Sequence, residues 1–290
     1  MNAIERVATL PAPPARNSES HKGSFGHLLL VAGSKTMSGA ARLSALSALR
    51  GGVGLLTVAT AESVWGIVAA ENPAWMTLPL AEQDGCCRLQ SLSVIESAWE
   101  RKTALAVGPG LGQTPEVADL VKVCYSRCPL PLVLDADGLN AFVGHVDQLA
   151  CALEAPRVLT PHPGELARLL GIEVRELQRD RENVAVKFAR QTGAVVLLKG
   201  AQTVITDGDR LAVNGTGNSG LARGGAGDVL TGLIGALLAQ GMEAFSAAQF
   251  AAHFHGLAAD IVATEKTAQA MLVTELIDAF PAAWKRILAS

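Results

Sequence analysis

A chain of 290 residues with 49% hydrophobic content and a mean hydropathy of +0.29 can bury a large core, as one α/β domain or as two smaller ones. Its formal net charge of -3 excludes a cationic surface for nucleic acid. Five cysteines (Cys86, Cys87, Cys124, Cys128, Cys151) form no even disulfide framework, which points to reduced thiols in a cytoplasm.

Residues 1–23, with Pro11, Pro13 and Pro14, read as an extended arm, and Glu5 and Arg6 break the apolar stretch that a signal peptide needs. From His27 the pattern becomes strand, loop and helix: HLLLVAG, SKTMSG, then AARLSALSALRGG, the opening of a βαβ unit. A strand at 55–60 and a helix through Ala69 follow. Apolar runs at 75–80, 104–107, 130–134, 158–160 and 195–199, separated by helical patterns, predict a largely parallel sheet covered on both faces. No linker or repeat follows residue 23, so one domain, 24–290, is expected. At 203–213, TVIT and RLAV flank Asp-Gly and predict an antiparallel hairpin, and helical stretches at 245–264 and 272–288 close the chain. The longest charge-free apolar helix, 229–242, is too short for a bilayer, so no membrane partner is expected.

Open parallel sheets gather ligands at the carboxyl ends of their strands. GSKTMSGAA after the first strand is small and glycine-bearing but lacks the GKS/T ending of a Walker loop. GPGLG (108–112) lets a flat ligand lie against the backbone. In DADGLN, Asp135 and Asp137 would hold Mg2+ or a ribose, or Asp137 would cap the next helix, with equal weight on the two readings. In TPHPGE two prolines present His162 and Glu165; Glu165 would polarise water around a metal or cap a helix. Lys199, at the end of an apolar strand, suits a phosphate contact or is a solvated strand end. Cys124 and Cys128 share a helix face without a second ligand pair, and His253 and His255 have no acidic partner at ligand spacing, so packing roles are expected for all four.

The stretch 214–241, NGTGNSGLARGGAGDVLTGLIGALLAQG, is a polar, glycine-rich loop feeding a core-facing helix with Gly241 at its C-terminal cap. Unpartnered N–H groups, the helix dipole and Gly224, Gly225 and Gly227 make the helix start an anion hole. Asp228 at its mouth is either a helix cap or a general base; three preceding glycines favour the base.

HKGSFGHLLLVAGSKTMSGAARLSALSALRGGVGLLTVAT, AVGPGLG, LVLDADGLNAF, LTPHPGELARLLG, LLKGAQTVIT and the 214–241 stretch together resemble, in order over residues 20–265, the ADP-dependent NAD(P)H-hydrate dehydratases of the ribokinase-like superfamily. The resemblance implies a three-layer α/β/α fold with a mostly parallel central sheet. It also implies a nicotinamide-repair activity: the ring hydroxyl of NADH or NADPH hydrate is phosphorylated from ADP, and phosphate is then eliminated. By position, Asp228 would be the base; Lys199, Gly200, Ala201, Gln202, Thr203, Asn218, Gly225 and Gly227 would bind the nucleotide. Ala40, Gly110 or Gly112, and His162 would face the hydrate, and Glu165 would organise Mg2+ near the phosphates. A homotetramer is the family expectation, and the short arm predicts that the hydrate epimerase is a separate protein.

Two other readings use the same residues. A ribokinase-like kinase of a hydroxymethylpyrimidine or hydroxyethylthiazole alcohol would need the same base and anion hole. A non-catalytic nucleotide sensor would gain little from a carboxylate aimed at phosphates.

Overall fold

The computed structural model describes residues 4–150 and 155–289, so Cys151 lies outside the described residues. The strands, in chain order, are β1 (Glu5–Arg6), β2 (His27–Val31), β3 (Leu55–Ala61), β4 (Met76–Leu80), β5 (Glu82–Gln83), β6 (Cys86–Cys87), β7 (Ala104–Val107), β8 (Leu132–Leu134), β9 (Arg157–Leu159), β10 (Val195–Leu198), β11 (Val204–Thr206) and β12 (Arg210–Val213). All but the small β5–β6 hairpin join one ten-stranded sheet in the order β1-β12-β11-β10-β9-β8-β7-β2-β3-β4. The reversal at the Asp-Gly turn makes β11 antiparallel to both β10 and β12, and every other pairing in this sheet is parallel. The expected hairpin is therefore an extension of the central sheet.

Among the described residues, twelve α-helices cover the sheet: α1 (Ser38–Arg50), α2 (Glu62–Glu71), α3 (Leu92–Trp99), α4 (Pro115–Arg127), α5 (Asp137–Asn140), α6 (Pro163–Leu170), α7 (Val174–Arg179), α8 (Arg181–Thr192), α9 (Ala226–Ala239), α10 (Ala244–Lys266), α11 (Val273–Asp278) and α12 (Phe280–Ala289). Strand residues alternate between two cores because side chains alternate across a strand. Leu28, Leu30, Leu56 and Val58 pack with α1, α9 and α10, whereas Leu29, Val31, Leu105 and Val107 pack with α3, α4, α6 and α8. Helices on both faces give the expected three-layer α/β/α architecture with a mostly parallel central sheet.

Two local expectations change and one holds. The arm is tied down, with Glu5 and Arg6 pairing in parallel with β12 as an edge strand. The helix expected over 272–288 breaks at Ala279 into α11 and α12. Gly241, φ 85°, does follow the end of α9 in the left-handed conformation expected beyond a helix C-terminus. Among the described residues no helix is long and apolar enough to cross a membrane.

One close approach positions the site. A Cβ on Gly232 of α9 would lie 2.0 Å from Ser44 O of α1. Only glycine lets the helices meet there, and Ser44 Oγ then donates to Asp228 O at 2.9 Å while Ser47 Oγ donates to Val229 O at 2.5 Å. The start of α9 is thus fixed against α1.

Candidate active site

Strand order reverses between β2 and β7, so the connections leaving their carboxyl ends diverge and open a crevice. The segments after β2, β7, β8, β9 and β10 border it, and the start of α9 meets them.

The N-cap of α9 is Gly225, whose φ of 93° suits only glycine. Val229 N–H donates to Gly225 O at 3.1 Å. Among the described residues, the Gly227 and Asp228 N–H groups donate to no acceptor of the chain, which is the anion-hole arrangement. Asp228 is the third residue of the helix, so it is not the cap. Burial, reinforced by the nearby Asp135 carboxylate and only partly offset by Lys199, pushes its carboxyl from 3.8 up to about 7. A carboxyl poised there suits a general base at neutral pH.

Lys199 is neither a solvated strand end nor an ammonium awaiting only phosphate. Its Nζ donates to Asp135 Oδ1 at 2.8 Å and lies 3.8 Å from Glu165 Oε2, with 19% of the side chain exposed against 1% for Asp135. Burial alone would pull the ammonium down; Asp135, Glu165 and Asp228 more than reverse this and keep it cationic. A Cβ on Gly227 would sit 3.3 Å from Lys199 Nζ, so the missing side chain seats the ammonium against the first turn of α9.

Asp137 does not cap the next helix, and within the chain both DADGLN acids have partners. Asp135 spends its second oxygen on Thr231 Oγ1 at 2.6 Å. Asp137 accepts from Gly112 N–H at 2.9 Å and from Gln113 Nε2 at 3.0 Å, fastening the GPGLG loop. The cap position of α5 belongs to Ala136, whose φ of 50° and ψ of -118° turn the chain between the two acids. That is a costly conformation for alanine.

His162 and Glu165 form a reciprocal cap on α6. His162 Nδ1 accepts from Gly164 N–H at 3.0 Å and Glu165 N–H at 3.2 Å, while Glu165 Oε2 accepts from His162 N–H at 2.7 Å. Burial and Lys199 hold the imidazole below its ordinary pKa; burial raises Glu165 against the pull of Lys199. Among the described residues no three ligating side chains converge on a metal site.

A cavity of about 640 Å³ opens beside this cluster and brings together Lys199, Gly200, Ala201, Gln202, Thr203, Asn218 and Gly227. Gly225 is not in its lining: a Cβ there would meet Leu43 Cδ1 of α1 at 2.7 Å, so this glycine serves helix docking. The expected hydrate-facing residues also lie outside the cavity. Ala40 and Gly110 are in contact, a Cβ on Gly110 falling 2.8 Å from Ala40 Cβ, while Gly112 packs against Cys86 Sγ. The first turn of α9 is bonded to α1 through Ser44, and its Ala226 and Gly227 line the cavity.

Sequence reasoning missed Thr231 and Asp260 and set His255 aside. Burial lowers the His255 imidazole to about 4, and its Nε2 donates to Ala226 O at 3.0 Å. The expected packing role holds, but the ring also lines the cavity. Its partner is a backbone carbonyl, which no side-chain spacing announces. Cys87, Cys124 and Cys128 are buried free thiols, as expected of packing cysteines.

A family model described as NAD(P)H-hydrate dehydratase matches residues 28–282. The ADP-dependent (S)-NAD(P)H-hydrate dehydratase of Bacillus subtilis is 40% identical over 279 residues, 94% of this chain and 94% of that one. The bifunctional NAD(P)H-hydrate repair enzyme of Moorella thermoacetica is 42% identical over 270 residues, 92% of this chain and 51% of that one. The chain thus spans about half the length of such bifunctional relatives. A structure of the ADP/ATP-dependent NAD(P)H-hydrate dehydratase from Bacillus subtilis, co-crystallized with ATP/Mg2+, matches with a TM-score of 0.82 at 36% identity, covering 95% of each chain. A hydroxyethylthiazole kinase from Pyrococcus horikoshii, at 16% identity and a TM-score of 0.59, shares the fold alone.

Proposed function

The chain belongs to the NAD(P)H-hydrate dehydratase family, and from that membership we propose that it dehydrates the S form of NAD(P)H hydrate at the expense of ADP, releasing AMP and phosphate. The observation that carries the reading is Asp228, a carboxyl raised to about 7 beside two unpaired helix N–H groups and a cavity lined by all of the expected nucleotide residues except Gly225.

In the proposed reaction the nucleotide occupies the cavity with its terminal phosphate at the start of α9, and the hydrate enters from the Ala40 and Gly110 side. Asp228 accepts the proton of the ring hydroxyl as its oxygen attacks the terminal phosphoryl group and the bond to AMP breaks. The Gly227 and Asp228 N–H groups and Lys199 stabilise charge on the transferring group. Phosphate then leaves the ring carbon with its bonding pair, a neighbouring ring proton is lost, and the double bond returns. Mg2+ bound with the phosphates, with Glu165 as the protein carboxylate, would neutralise phosphate charge.

The test is recovery of reduced-nicotinamide absorbance from prepared NADH hydrate with Mg2+ and either ADP or ATP. Nucleotide-dependent recovery supports the reading; a stable phosphorylated alcohol and no recovery would transfer it to a small-molecule kinase. The same site would serve such a kinase, and family membership is what favours the dehydratase.

A further inference from the structure

The segment 214–221 forms one wall of the cavity, and the obvious expectation for a glycine-rich loop there is a lid that closes after the nucleotide binds. Its contacts say otherwise. Asn214 Nδ2 donates to Ala252 O at 3.1 Å and Thr216 Oγ1 donates to His253 O at 2.8 Å, both carbonyls belonging to α10. One turn on, Gly256 lets the loop touch the helix backbone: a Cβ there would lie 2.3 Å from Thr216 Oγ1 and 2.6 Å from the Thr216 carbonyl carbon. One further turn on, Asp260 accepts from Gly217 N–H and Asn218 Nδ2, both at 2.9 Å. Asn218 in turn accepts from Gly220 N–H at 2.9 Å, which fixes the next residues.

The same helix also holds the opposite wall. His255 donates to Ala226 O, the first carbonyl of α9, so α10 ties the anion hole and the loop to one rigid element. Ala252, His253, Gly256 and Asp260 recur at three- and four-residue spacing, which puts them on one face of the helix.

We propose that Gly256 and Asp260 are positioning residues for nucleotide binding, holding 214–221 in its nucleotide-bound shape before the nucleotide arrives. The inference rests on reading the cavity as the nucleotide site. Its physical basis is that apparent affinity falls by the fraction of molecules in which the loop is competent, so a preformed wall spares the nucleotide the cost of ordering it. Neither residue would touch the reacting atoms.

The test compares wild type with D260A, D260N and G256A, using ADP and Mg2+ as the probe in calorimetric titration, steady-state kinetics with NADH hydrate, and amide exchange. D260A should weaken ADP binding and raise its KM by about tenfold, and D260N, which keeps one acceptor, by about threefold. G256A should lie with D260A. The kcat at saturating ADP and the KM for hydrate should stay within about twofold, a split that general destabilisation would not produce. Exchange across 214–221 should quicken in ligand-free D260A and slow again with ADP. If D260A does not fold, D260N carries the same comparison. ADP affinity unchanged in a folded variant, or lost without any change in loop exchange, overturns the proposal. Wild type that turns over hydrate while D260A binds ADP normally refutes the clamp and leaves the dehydratase reading standing. Wild type that binds ADP without turnover refutes the dehydratase, and the titrations still decide the clamp.

Discussion

Replacing Asp228 with asparagine should cost activity and add stability in the same protein at the same pH. The carboxyl is lifted from 3.8 to about 7, chiefly by burial and then by Asp135. At ~1.36 kcal/mol per decade of proton activity, ionising it costs up to about 4 kcal/mol more in the folded chain than in the unfolded one. Because the folded pKa is the higher, the stability carried by the neutral carboxyl is fully present below about pH 4 and is lost as pH rises through about 7. Partial solvent access reduces the figure, and about 1–2 kcal/mol, a few degrees in Tm, is expected. D228N should therefore melt higher than wild type at about pH 8 and together with it at about pH 4. Its kcat should fall by about 10²–10⁴, and the wild-type kcat should rise with pH to a half-maximum near about 7. The assay pairs hydrate turnover with thermal unfolding across that range. A D228N protein that melts below wild type at about pH 8, or that retains kcat within about tenfold, would refute both the desolvated state of the carboxyl and its role.

Lys199→Met leaves Asp135, 1% exposed, without its cation; unfolding should be easier by about 3–5 kcal/mol, and titration should show weaker ADP binding. Gly232→Ala places a methyl 2.0 Å from Ser44 O, so α1 and α9 must separate, at about 1–3 kcal/mol in denaturant unfolding and with a raised KM for hydrate as Ala40 moves. His162→Ala removes the side-chain cap of α6 and should lower stability by about 1 kcal/mol, read as a shift in the denaturant midpoint without a change in slope.

The sheet was legible because its strands are buried on both faces and read as unbroken apolar runs between helical patterns; the observed strands fall within a few residues of the expected runs. Gly227 and Asp228 were legible too, since a glycine-rich turn before an apolar helix has few structural uses. The pairings were not. Asp135 meets Lys199 and Thr231, which lie 64 and 96 residues away, so only the closed sheet brings them together. Asp137 looks the same as Asp135 in the sequence, yet Ala136 turns them to different tasks. Of the three glycines read as the anion hole, Gly227 alone lines the cavity, while a Cβ on Gly225 would meet Leu43 of α1.

The distribution of hydrogen bonds among the crevice carboxylates bears on how one site could carry both halves of the proposed reaction. Asp135, Asp137 and Glu165 have their oxygens engaged by Lys199, Thr231, the GPGLG loop and the α6 cap. Among the described residues of the crevice, Asp228 alone of these four acids keeps its carboxyl out of any hydrogen bond within the chain, and burial raises it to about 7. One free base is what phosphoryl transfer needs, and the elimination that follows requires no second one of comparable strength. Once the ring hydroxyl carries phosphate, the adjacent ring nitrogen supplies the electrons that expel it. In a hydroxymethylpyrimidine or hydroxyethylthiazole alcohol the carbinol carbon is outside the ring and not bonded to a ring nitrogen, so no ring double bond is restored by elimination and the same constellation would stop at the phosphate ester. The outcome then depends on which alcohol reaches Asp228, and in the proposed reaction that selection would fall to the side of Ala40 and Gly110, where the hydrate would enter, rather than to the turn that carries Asp228.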